Sequence, residues 1–147
     1  MRNDIGFKTE LHLELEFENA NGMKFYSLKT DLIFFDGKEN IIVPSKMKNE
    51  TFFTNLASIP KYLHWLIPPD KKLYRKSSVF HDFCYTQRHI SRKRADKLFL
   101  LATRSELKKL VKQEKKLEKL YDTIRYTVIA YSFYAMVRVF GRSFRTV

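Results

Sequence analysis

The sequence predicts an α+β fold in a single domain, residues 1–147. Three observations carry this expectation. The first third of the chain alternates apolar and polar residues at period two. The second half repeats apolar residues at helical spacing. Strands come first and helices second, without the strand–helix alternation of a parallel sheet. The predicted parts are an antiparallel sheet of three to five strands over residues 8–54, an irregular Pro-containing segment over 52–70, and two to four helices over 71–141.

The first strand is "ELHLELEFE". It puts Leu11, Leu13, Leu15 and Phe17 on one face and His12, Glu14, Glu16 and Glu18 on the other. Asn21-Gly22 follows, a hairpin signal because both residues tolerate positive φ. "MKFYSL" and "DLIFF" read as further strands, and Asp36-Gly37 marks a turn before "NIIVP". Pro60, Pro68 and Pro69 then interrupt the chain, and Trp65 and its apolar neighbours are expected against the sheet. Ser77 to about Gln87 forms a helix that has room to begin a turn earlier. "RHI" makes a turn, and Ser91 is a natural N-cap for a second helix reaching about Thr103. Leu107, Leu110, Val111, Leu117, Leu120, Tyr121, Ile124 and Val128 recur at helical spacing and predict one long helix to Phe140, with Gly141 as its stop.

Composition narrows the function classes. Hydrophobic residues make up 44% and aromatics 15%, richer than a disordered chain. Four Gly and four Pro exclude collagen-like and low-complexity repeats. Cys84 is the only cysteine, so no disulfide forms within the chain and Cys-rich zinc sites are excluded. The N-terminus lacks the apolar core of a signal peptide, and the longest uncharged run, Tyr126 to Val137, falls short of the about 20 residues that span a bilayer. The expected location is the cytoplasm of the producing cell. A net charge of +12 favours anionic partners: nucleic acid, an acidic protein or anionic lipid. From Arg104 to Lys119, seven Lys and Arg face three Glu; Lys108, Lys112 and Lys115 mark this stripe, which is either a solvated helix face or an anion-binding surface.

The chemistry concentrates in "SSVFHDFCYTQRHISRKRADKLF", Ser77 to Phe99. On a helix, residues four apart share a face, so His81 and Tyr85 point the same way, with Ser77 and Arg88 near that stripe. Asp82 is rotated about 100 degrees from His81. Asp96 lies 15 residues after His81, where an antiparallel partner helix brings it back across the turn. A carboxylate there would hold the imidazole in one tautomer, as a general-base histidine requires. Asp82 could then hold a hard cation, calcium or magnesium. The alternative is a buried His–Asp–Tyr network that only fixes the helices, since buried polar groups need partners whether or not they catalyse. Cys84 reads as a small buried hydrophobe, His89 as a solvated turn residue, and His12 and His64 receive no role.

"FFTNLASIP" (52–60), Trp65, "SSVFHDFCY" (77–85), "SRKRADKLF" (91–99) and "YAMVRVFG" (134–141), in this order, resemble a family found mainly in phages and prophages and catalogued as domain of unknown function 1353. The resemblance spans about residues 25–141. It implies a phage protein and no known reaction. The family pattern reads "TDLASIP", so Asn55 stands where the family has an aspartate. If that position serves a metal, this chain offers one negative charge fewer, or an amide carbonyl.

A second resemblance is local. "HDFCY" with a later helical Asp is similar to the active-site helix pair of calcium-dependent secreted phospholipases A. It implies His81 as base, Asp82 as calcium ligand, Asp96 as the residue that orients His81, and Tyr85 as a support. The Gly-rich calcium loop is missing, since no glycine lies between Gly37 and Gly141, and so are the disulfides. Asn55 and Ser58 are then the candidates to stabilise an oxyanion.

Two functions from different classes follow. One is a cation-assisted phage hydrolase acting on lipid or another cell-envelope bond. The other is a non-enzymatic virion, tail or assembly protein in which the network is structural and the lysines meet virion subunits, DNA or a membrane. The expected cofactor is calcium or magnesium, otherwise none, and the expected place is the host cytoplasm or the virion.

Overall fold

The structure is a computed structural model that describes residues 4–48, 52–56, 72–111 and 116–140. Its order is five strands and then three helices, the predicted α+β arrangement. The strands are β1 (Gly6–Phe7), β2 (Leu13–Glu18), β3 (Lys24–Leu28), β4 (Leu32–Phe35) and β5 (Asn40–Val43). They form two antiparallel sheets, one ordered β1-β4-β5 and the other β2-β3. The Lys46 N–H donates to Leu28 O at 2.8 Å and ties the segment after β5 to β3.

Both sequence-predicted turns close by side-chain capture of the backbone. Asn19 Oδ1 accepts from the N–H groups of Asn21 and Met23, and Gly22 takes φ 74°. Asp36 Oδ1 accepts from Lys38 and Glu39, and Gly37 takes φ 103°. Asn and Asp compete well for these groups because their short side chains reach the backbone two to four residues on.

The unbroken alternation expected along β2 is corrected. The register shifts between Leu15 and Phe17. A bulge sets two residues against one and moves every later side chain by a face. Glu16, at the bulge, accepts from Ser27 Oγ and pairs with Lys46; Leu15 before it and Phe17 after it are both exposed.

The helices are α1 (Lys72–Thr86), α2 (Arg92–Val111) and α3 (Lys116–Phe140). Ser91 caps α2 as expected, its Oγ accepting from the Arg94 N–H at 3.3 Å. The expected end of α2 at Thr103 is corrected: it runs two turns further, and Leu107, assigned above to the long helix, is buried as part of α2. Nothing between Thr103 and Val111 stops a helix, since neither Gly nor Pro occurs there. Trp65, the three prolines and Gly141 lie outside the described residues.

One core lies between the sheets and the α1–α2 pair. Phe7, Phe34 and Phe80 meet there at ring-centre distances of 4.8 to 5.8 Å. Ala95 and Ala102, fully buried on α2, let α1 approach closely. A second cluster joins α3: Tyr74 and Phe99 against Ile129, Phe133, Met136 and Val137. The helix hairpin carrying His81 and Asp96 is thus packed on two sides, which fixes the site's geometry.

Candidate functional site at the helix hairpin

His81 and Asp96 meet across the hairpin, with Nε2 3.2 Å from Asp96 Oδ1. Tyr85, one turn after His81, donates its hydroxyl to the same oxygen at 2.6 Å. The His81 ring lies against the rings of Tyr85 and Phe99 at 4.3 and 4.8 Å. These contacts leave the imidazole one orientation. Its side chain is 7% exposed, and among the described residues Nδ1 has no hydrogen-bond partner.

Asp96 is fully buried and collects more partners than the sequence reading named. Arg138 of α3 donates to Oδ2 at 3.1 Å, and Arg92 Nε lies 3.9 Å from the same oxygen. Arg92 also donates to the carbonyls of Val137 and Arg138, satisfying the C-terminal end of α3 where a cation is favoured. Burial pushes the Asp96 carboxyl up, but hydrogen bonds from His81, Tyr85 and Arg138 outweigh it and hold the carboxyl below its ordinary value. Burial and the bond to Asp96 push the Tyr85 phenol up to about 12, so it remains a donor at neutral pH.

A sign of both arginines was present in the sequence. Arg92 precedes Asp96 by four residues, one helical turn, and Arg138 is the single charge in the run from Tyr126 to Phe140. A lone charge in an apolar helix asks for a buried partner.

Asp82 faces the other way, toward the β layer. Thr54 donates its hydroxyl to Asp82 Oδ2 at 2.7 Å. Thr54 is held by two backbone bonds to Tyr26 and leads into Leu56, whose φ of 57° is a strained value for a side chain branched at Cγ. Asn55, a candidate metal or oxyanion group, donates its amide to Met23 Sδ at 3.1 Å. Ser58 lies outside the described residues. Among the described residues no three His, Cys, Asp or Glu side chains gather at one point. Calcium takes about six to eight oxygens. Of such oxygens, the described residues place the Asp82 carboxylate beside the Thr54 hydroxyl.

Lys108 is exposed on α2, in one stripe with Lys93, Lys97 and Arg104. Among the described residues none of these four has an ion-pair partner, whereas Arg94 and Lys109, off the stripe, pair with Glu39 and Glu106. Lys112 and Lys115 lie outside the described residues. Cys84 is fully buried, and burial pushes its thiol up to about 12, the behaviour of a core residue. His12 and His89 are exposed, and His64 lies outside the described residues.

The sequence model of the family described as "Protein of unknown function (DUF1353)" matches residues 26–116, more than half of the chain. The chain belongs to that family. The DUF1353 span holds Thr54, Asn55, His81, Asp82, Tyr85, Arg92 and Asp96; Arg138 and the "YAMVRVFG" motif lie beyond it. No curated protein and no solved structure matches the chain.

Proposed function

We propose that this DUF1353 protein is a small phage-encoded hydrolase whose general base is His81, acting on an ester of the bacterial envelope such as a phospholipid. The observation that carries this reading is the Asp96 carboxylate on His81 Nε2. An ionised carboxylate only accepts, so Nε2 carries the ring proton and Nδ1 is the basic nitrogen. Nδ1 takes a proton from water as the water oxygen attacks the ester carbonyl, and Asp96 stabilises the imidazolium. The proton then passes to the leaving alkoxide as its C–O bond breaks, giving acid and alcohol. Tyr85 and Arg138 hold the carboxylate that holds the ring.

The test is fatty-acid release from phosphatidylglycerol vesicles, with calcium and then with a chelator, by the native protein and His81→Asn. The expected result is native turnover that falls by about a hundredfold or more in a variant that still folds, the range for loss of a general base. Unchanged turnover in the variant would overturn the assignment of His81.

A second reading has its own observation. Two guanidinium groups converge on Asp96, and His81 is only 5% exposed. In a virion or assembly protein the same network would clamp three helices. No turnover by the native protein, with a lowered melting temperature in His81→Asn, would select this reading.

A further inference from the structure

α3 is apolar on two opposite faces. Ile129, Phe133, Met136 and Val137 pack into the second core cluster. Ile124, Val128, Tyr131 and Val139 are exposed at 60%, 56%, 48% and 65%, with exposed Ala135 among them. At about 100 degrees per residue these five fall within an arc of about 80 degrees, centred about 145 degrees from the buried side chains. The stripe is about 22 Å long.

A surface helix that packs on one side normally turns polar residues to water. From Thr123 to Val139 the only charged residues are Arg125 and Arg138, which flank the stripe on its two edges. No acidic residue interrupts it.

We propose that this outer face of α3 seats on an anionic lipid surface, the apolar stripe entering the headgroup boundary and Arg125 meeting lipid phosphates. Charge complementarity selects this occupant. A second copy of the chain would set Arg125 and Arg138 against like charges, since no acidic residue lies between Thr123 and Val139. A nucleic acid would match the cations but leave Ile124, Val128 and Val139 unused. A bilayer surface takes both parts: apolar side chains at the acyl boundary and the Arg125 guanidinium at the phosphates. No helix among the described residues is long and apolar enough to cross a membrane, so α3 lies on the surface in this proposal. The inference stands apart from the hydrolase reading, because the stripe contains none of the His81 network and its test measures binding alone.

The test is co-sedimentation with vesicles of equal parts phosphatidylglycerol and phosphatidylcholine, and with phosphatidylcholine alone. Native protein should bind the mixed vesicles and bind the neutral ones far more weakly. Val128→Asp should weaken binding at least about tenfold, as expected for taking an aliphatic side chain out of the acyl boundary. Asn40→Asp, the same charge change on an exposed β5 residue, should bind as the native protein does. Circular dichroism checks that both variants fold. Equal losses in the two variants would reduce the effect to net charge and overturn the proposal. So would failure of native protein to bind the mixed vesicles, or tighter binding to a DNA duplex that Val128→Asp leaves unchanged. If Val128→Asp fails to fold, Val139→Asp, at the most exposed position of the stripe, replaces it with the same expected loss.

Discussion

The two aspartates beside His81 are the same residue in opposite situations. Asp96 is fully buried, accepts from His81, Tyr85 and Arg138, and has Arg92 nearby. Asp82 is half-buried at the β layer and accepts from Thr54. The difference shows how environment divides roles between like groups. Removing Asp96 strands charges in the interior. Changing Asp82 alters one edge of the hairpin.

Asp96→Ala should separate the two aspartates most clearly. Deleting one partner of a buried ionic network costs about 3 to 5 kcal/mol, read as a lowered denaturant midpoint. Asp82→Ala measured alongside should cost clearly less; equal costs would erase the distinction. Acid adds a second arm. The Asp96 carboxyl is held below its ordinary value of 3.8, so its contribution is present above that pH and is lost as pH falls through the lower folded value. Asp96→Asn should flatten this part of the acid unfolding curve, and Asp82→Asn should leave it in place.

Arg138→Met comes next. It removes a hydrogen bond to a charged group, worth about 1.5 to 3 kcal/mol when buried, but the arginine side chain is 40% exposed and water screens it. A loss of about 1 to 2 kcal/mol is expected, and a loss as large as that of Asp96→Ala would mean that Arg138 alone neutralises the carboxylate. The smallest effect is Asp82→Asn, which keeps an oxygen for Thr54 and should cost under about 1 kcal/mol.

The hairpin was the most legible part of the molecule. Residues four apart on a helix and a capping serine at the start of the next fix which side chains meet, and His81, Tyr85 and Asp96 followed from that spacing. The third helix's share was not legible. Arg138 lies 42 residues from Asp96, and no local rule brings them together. The β2 bulge was hidden because a perfect apolar alternation carries no mark of where a partner strand slips. The end of α2 was misplaced because its basic turns continue the helix as readily as they end it. The bond from the Asn55 amide to Met23 Sδ was not legible either, since 32 residues separate the two.

The role of His81 depends on which of its nitrogens carries the proton, and nitrogen-15 NMR reads that directly. Spectra of the histidine rings at neutral pH, with His81 assigned by its absence in His81→Asn, separate the two tautomers. A general base at His81 requires a protonated Nε2, held by Asp96, and an unprotonated Nδ1. A proton on Nδ1 would contradict that role, because the nitrogen assigned as the base would then have nothing to accept with.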